Sequence, residues 1–310
     1  MYEQIAKNKR RTFVLLFFFV VLIAGAALAF NFLLGFGLVG VSFAIVLAIA
    51  LAWGSYFYSD RVALAASRAR PAEGPEYQRY HNLVEGLCIA AGLPKPRLYV
   101  VDDPAPNAFA TGRNPKHAAL AVTTGLLEKM NRVELEGVIA HELAHVKNYD
   151  ILVTTVAVTA VGAIALISDL GLRFMWFGGG SDRRDRADSG NLGIILVILA
   201  FALLVLAPFV AMLMQFAMSR RRELLADASG VQLTRYPPGL IAALEKLKND
   251  QAVVHHATRA TAQLWIESPL DRGQSGDAEN GHQKHRGARL NRWFDTHPPL
   301  DERIQILKEM

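Results

Sequence analysis

The chain has 310 residues, 52% of them hydrophobic, a formal net charge of +5 and one cysteine. The lone Cys88 excludes an intramolecular disulfide and cannot build a thiolate metal site. The apolar residues sit in a few long uncharged runs, which points away from a fully soluble chain. The basic excess flanks those runs and is not interleaved with exposed aromatics, so it fits topology and anionic headgroups and gives no sign of nucleic acid.

From Thr12 to Ser59 no residue carries a formal charge. As a single helix this run would be roughly 70 Å long, against a hydrocarbon core of about 30 Å. It therefore reads as two spans, Phe13 to Leu33 and Leu38 to Tyr58, turning near Asn31, Gly35 and Gly37. Lys7, Lys9, Arg10 and Arg11 hold the N-terminus in the cytoplasm. A cleaved signal peptide is the competing reading, because Ala27-Leu28-Ala29 resembles a cleavage site, although Phe13 to Phe30 is long for that purpose.

The chain then turns soluble. Glu76 to Ala91 reads as a helix, and Arg97 to Val101, Asn107 to Thr111 and His117 to Thr123 as short strands, the last two joined by Gly112-Arg113-Asn114-Pro115. Asn131 with Glu134 approximates a capping box, opening a helix from Arg132 to Asn148. Two further apolar runs, Ile151 to Ser168 and Leu192 to Ser219, flank a loop containing Gly178-Gly179-Gly180. The first is marginal as a span, and a buried or interfacial hairpin competes with it. Four arginines in the loop from Gly171 to Asn191 run against the positive-inside rule. Arg222 to Leu233 continues as helix, Pro237-Pro238-Gly239 breaks it, Leu240 to Lys248 begins another, and Asp271 to Gly287 reads as a polar loop. No internal repeat is found.

His141-Glu142-Leu143-Ala144-His145 is an H-E-x-x-H motif. Residues four apart share a helix face, so both imidazoles can bind one metal, while Glu142 can take a proton from water as general base. A helix with two incidental histidines is the alternative, and the amphipathic, capped setting argues against it. A catalytic zinc needs a third protein ligand. Asn148 and Ile151 exclude the metzincin pattern, and Asp150 reads as flanking the next span. Glu223 is the better candidate, with Asp227 on the same face to accept a hydrogen bond from a ligating histidine. The competing reading is a solvated, salt-bridged helix start at Arg220 to Arg222; a hydrophobic hairpin between positions 145 and 223 would decide for the ligand.

These residues, with Asn107-Ala108-Phe109-Ala110 and Thr296-His297-Pro298-Pro299, resemble the HtpX family of membrane zinc peptidases, related to the CAAX prenyl proteases, over nearly the whole chain. The resemblance implies a membrane α-helical fold carrying an α+β, zincin-like cytoplasmic domain, with a small sheet beside the H-E-x-x-H helix. The expected parts are a transmembrane hairpin (1–58), a first peptidase segment (59–150), a second hydrophobic hairpin (151–219) and a second peptidase segment (220–310). It also implies one Zn2+ on His141, His145 and Glu223, a site facing the cytoplasm at a prokaryotic inner membrane, and unfolded or damaged membrane proteins as substrates. Under the same resemblance Asn107, Ala108 and Phe109, or the neighbouring strand, receive substrate as an added strand, and His297 donates to the oxyanion. Two rivals remain: a processing protease for a narrow class of membrane-associated substrates, and a scaffold whose metal is structural or absent. Glu142, a base beside the metal, argues against the scaffold.

Overall fold

A computed structural model describes residues 2–34, 37–177, 220–252, 254–255, 261–267 and 298–310. The uncharged N-terminal run forms two helices, α1 (Tyr2–Leu34) and α2 (Gly37–Ala66). Both outrun the apolar stretch: α1 includes the basic segment and α2 continues past Asp60 and Arg61. Hydropathy marks where a helix can meet lipid, and backbone hydrogen bonding carries on beyond it. By length and composition α2 is sufficient to cross a membrane, and 12% of its most apolar window is buried. Leu38, Val39, Phe43 and Val46 of α2 lie open, a patch too apolar for an ordinary water-facing surface.

The sheet has the order β1-β2-β4-β3, built from β1 (Arg70–Pro71), β2 (Arg97–Val101), β3 (Ala108–Gly112) and β4 (Ala118–Thr123). β2 and β4 run parallel and the other pairs antiparallel. One face, through Val100, Leu120 and Val122, joins Tyr80 and Val84 of α3 (Gln78–Ala91) and Val138 and Ile139 of α5 (Arg132–Lys147) in one core. The opposite face, through Val101, Phe109, Ala119 and Ala121, packs on Ala63 and Leu64 of α2 and on Trp265. Burial on both faces explains why β4 reads as a continuous apolar run rather than an alternating one. The short β1 and the helix α4 (Thr124–Lys129) carry no strong local signal and were not expected from sequence; Thr123 caps α4 by accepting from Leu126 N–H.

The marginal third apolar run is one helix, α6 (Asp150–Phe177), continuing past Ser168 and Asp169. Leu152, Val156 and Ala160 of α6 pack with Leu15 and Phe19 of α1 and Ala48 and Ala52 of α2. Thr154 and Thr159, polar residues that weaken the run as a span, donate their hydroxyls to the carbonyls of Asp150 and Thr155 one turn back. The expected span from Leu192 to Ser219, the Gly178-Gly179-Gly180 loop and the polar loop from Asp271 to Gly287 lie outside the described residues.

Three further helices are described: α7 (Arg220–Thr234), α8 (Pro237–Asn249) and α9 (Leu300–Lys308). The expected break falls at Tyr236, but α8 begins at Pro237 and not at Leu240. Prolines suit the first helical positions, where an amide hydrogen has no intrahelical partner. Gly239 then lets α8 approach α5: a Cβ there would lie 2.8 Å from the Val133 carbonyl, and one on Gly137 would lie 2.8 Å from Leu240 backbone. Gly137→Ala should therefore force α5 and α8 apart and destabilise the protein by about 1–3 kcal/mol, read as a lowered thermal midpoint of the full chain in detergent; an unchanged midpoint would show that the seam tolerates a side chain.

Candidate metal centre

The capping box that starts α5 is formed in full. Asn131 Oδ1 accepts from the N–H groups of Val133 and Glu134 at 2.9 and 3.0 Å, and Glu134 Oε2 accepts from Asn131 N–H at 2.8 Å. Lys246 of α8 closes on the same glutamate at 2.7 Å. This end fixes the helix two turns before His141, whose side chain is buried; Glu142 is 3% exposed.

His141 Nε2 and His145 Nε2 stand 3.2 Å apart. Glu223 of α7 reaches both, with Oε1 at 3.5 Å from His145 Nε2 and Oε2 at 3.7 Å from His141 Nε2. One ligating atom from each of the three residues falls within 4.8 Å of the others. α7 can bring Glu223 this close because Gly230, two turns later, lies against the α5 backbone: a Cβ there would meet His141 N at 3.0 Å.

The far nitrogens explain the orientation. His141 Nδ1 lies 2.8 Å from Asp227 Oδ1, and His145 Nδ1 lies 3.1 Å from Asp150 Oδ2. When Nδ1 of each ring donates to its carboxylate, both Nε2 atoms present lone pairs to the same point. Two lone pairs at 3.2 Å facing a carboxylate repel one another unless a cation or a proton lies between them. Nitrogens on one tetrahedral zinc, at about 2.0–2.1 Å each, stand roughly 3.3–3.4 Å apart. The donor set, two imidazoles and one carboxylate, is that of a catalytic zinc with a position left for water, so the residues fit the ion.

Sequence reading did not anticipate three of the surrounding groups. Asp150 does begin α6, as its flanking position suggests, but its carboxylate also serves His145 and accepts from Asn8 Nδ2 of α1 at 2.8 Å. Arg303 of α9 is completely buried and grips Asp227 with two bonds, Nε to Oδ2 at 2.8 Å and Nη2 to Oδ1 at 2.6 Å, while Nη1 donates to the Ile266 carbonyl at 3.3 Å. The only sequence signal was a charged residue at a position in α9 whose neighbours Ile304 and Leu307 are apolar. Asn8 gave none beyond being polar before an apolar run.

The charges respond accordingly. Burial disfavours the charged forms of both histidines, yet the carboxylates outweigh it: Asp227 raises His141 to about 9, and Glu223 and Asp150 raise His145. Burial pushes Asp227 up, but Arg303 and His141 hold it well below the usual carboxylate range. Burial is also the largest influence on Glu142, raising its carboxyl against the pull of the two histidines and of the Ala110 N–H, which it accepts.

That bond places Glu142 at the outer edge of β3. On this edge Ala108 accepts from Ile266 N–H at 2.9 Å, and Gly112 N–H donates to Thr155 Oγ1 at 3.3 Å. Asn107 exchanges hydrogen bonds with Glu267, Nδ2 donating at 2.8 Å, and the Phe109 ring meets Trp265 edge-on at 4.7 Å. The structure thus brings Asn107, Ala108 and Phe109 against the 261–267 segment. His297 lies outside the described residues.

Residues 76–310 match the family model "Peptidase family M48". The chain belongs to peptidase family M48. Full-length relatives agree: "Protease HtpX homolog" proteins of Tropheryma whipplei strain Twist (45% identical, covering all of this chain and 98% of the relative), Streptococcus mutans (44%, all of both) and Caldanaerobacter subterraneus (41%, all of this chain and 98% of the relative). The crystal structure of S. mikatae Ste24p aligns with 99% of this chain and 67% of its own at 16% identity and a TM-score of 0.47. This M48 peptidase is a metalloprotease, mainly helical with a small mixed sheet.

Two measurements check the centre. A zinc held by His141 would compete with protons there, and the neighbouring carboxylates raise that imidazole to about 9, so apparent zinc affinity should fall as the pH drops from 8 to 6, by about tenfold per pH unit; chelator competition that is independent of pH between 6 and 8 would contradict this. Arg303→Leu leaves Asp227 buried without its cation and should destabilise the fold by about 3–5 kcal/mol, measured by thermal melting beside Arg303→Lys as the milder variant.

Proposed function

We propose that the chain is a zinc-dependent membrane endopeptidase that hydrolyses peptide bonds of misfolded or damaged membrane proteins from the cytoplasmic side of a prokaryotic inner membrane. The observation that carries the reading is the convergence of His141, His145 and Glu223 beside the buried carboxylate of Glu142. The three converging residues would hold the zinc, and Asp227 and Asp150 would fix the two imidazoles.

A bound zinc supplies Lewis acidity that polarises the scissile carbonyl and makes water a stronger acid. Glu142 takes a proton from the attacking water as the oxygen bonds to the carbonyl carbon. It then gives that proton to the nitrogen as the carbon–nitrogen bond breaks, so no covalent acyl-enzyme forms. A carboxyl raised by burial suits a group that must both accept and return a proton. His297 would donate to the carbonyl oxygen as negative charge develops there.

Substrate would add as a strand along Asn107, Ala108 and Phe109, taking over the hydrogen bond that Ile266 now donates to Ala108. Ala110 N–H donates to Glu142 from the same strand, so an added strand would lie next to the base. Support for membrane-bound substrates comes from chain geometry: α5 ends at Lys147 and the apolar α6 starts at Asp150, which keeps the site close to the bilayer surface. In this reading residues 1–58 and 151–219 anchor the enzyme, and 59–150 and 220–310 together build the peptidase.

Glu142→Gln should keep one zinc per chain and lose hydrolysis of an unfolded membrane substrate by about 10²–10⁴-fold or more. The check is metal content and cleavage measured on the same detergent-solubilised preparation. Undiminished cleavage by that variant would overturn the assignment.

A further inference from the structure

Away from the metal centre, a groove of about 850 Å³ opens where the C-terminal half of α2 meets the loop before β2 and the β3–β4 turn. Ala50, Trp53, Gly54, Phe57, Tyr58 and Arg61 line it from α2. Their spacing puts them on one stripe of the helix, apolar first and cationic at the end. The Trp53 and Phe57 rings stand 4.8 Å apart, and Trp53 is 67% exposed.

The rim is basic. Lys95, Arg97, Arg113 and Lys116 join Arg61 there, with Asp60 the one lining carboxylate. Asp60 is bound to Arg97, and Lys95 pairs with Glu85 at 2.7 Å. Among the described residues, Arg61, Arg113 and Lys116 have no carboxylate partner. Arg113 lies 5.2 Å over the Phe57 ring and donates to the Phe57 carbonyl at 3.4 Å, while Arg61 lies 5.5 Å over Tyr58. Cations without acidic partners are thus held at the head of an open apolar stripe.

We propose that this groove binds an anionic phospholipid of the bilayer, its phosphate among Arg61, Arg113 and Lys116 and an acyl chain along Trp53 and Phe57. The inference rests on reading α2 as a membrane span. A diester phosphate suits guanidinium and ammonium donors, and aromatic side chains with a polar neighbour sit at the level where lipid meets water. Basic pockets at the ends of spans take anionic headgroups. Free phosphate would use the rim alone and leave the stripe without an occupant, whereas an amphiphile uses both in the order they occur.

The test reconstitutes the full chain into nanodiscs of phosphatidylcholine and phosphatidylglycerol in equal parts, releases it in mild detergent and counts retained lipids by native mass spectrometry. The wild type should retain phosphatidylglycerol in preference to phosphatidylcholine. Each basic side chain near the surface contributes about fivefold, so R61Q/R113Q/K116Q should weaken that preference on the order of a hundredfold. R61K/R113K should keep it. R61Q/K116Q, which leaves the Arg113 contacts with Phe57 intact, should give an intermediate loss of roughly twentyfold to thirtyfold even where the triple variant misfolds. Equal retention by wild type and R61Q/K116Q overturns the lipid site and leaves the span standing. Inorganic phosphate that binds while no lipid is retained also overturns it, in favour of a free anion. A chain that does not enter nanodiscs removes the span and this proposal together.

Discussion

Two imidazoles on one helix aim the same nitrogen at the same point only when their other nitrogens are fixed, and a buried carboxylate fixes each of them here. Asp227 holds His141 and Asp150 holds His145. A carboxylate alone would not keep its charge in so dry a place. Asp227 keeps it through the two-bond grip of Arg303, while Asp150 is surrounded by His145, Asn8 and the guanidinium of Arg222 at 3.8 Å. The geometry at Nε2 is therefore set by groups outside the cluster of His141, His145 and Glu223.

These groups come from distant parts of the chain. Arg303 lies in the last helix and Asn8 in the first, so the helix carrying His141 and His145 is braced from both termini. The brace through Asn8 also ties the metal centre to α1. Asn8 donates to Asp150 and to the Asn148 carbonyl, at the junction where α5 gives way to α6. A displacement of α1 relative to α6 would change the carboxylate that orients His145, which gives the apolar helices a direct physical connection to the chemistry.

The elements written locally were legible in the sequence. Asn131 and Glu134 announced the start of α5, and the alternation from Arg97 to Val101 gave β2 its bounds. The spacing of His141 and His145 requires only helical periodicity. Pro237 misled because a proline that ends one helix is also well suited to begin the next, and Gly239 serves a close approach that only a partner helix defines. Asp150 and Arg303 were missed for a tertiary reason: an aspartate at a helix start and an arginine in a short amphipathic helix look ordinary until the fold buries them together. Glu223 fell between these cases, since its spacing to Asp227 was visible but its distance from His145 depended on how the intervening chain returns.

Zinc K-edge X-ray absorption on the purified full chain addresses the centre most directly. With one zinc per chain, the spectrum should show two imidazole groups and oxygen donors in the first coordination sphere, and Glu223→Ala should remove an oxygen donor while both imidazoles remain. A spectrum with a single imidazole, or one that Glu223→Ala leaves unchanged, would contradict the account.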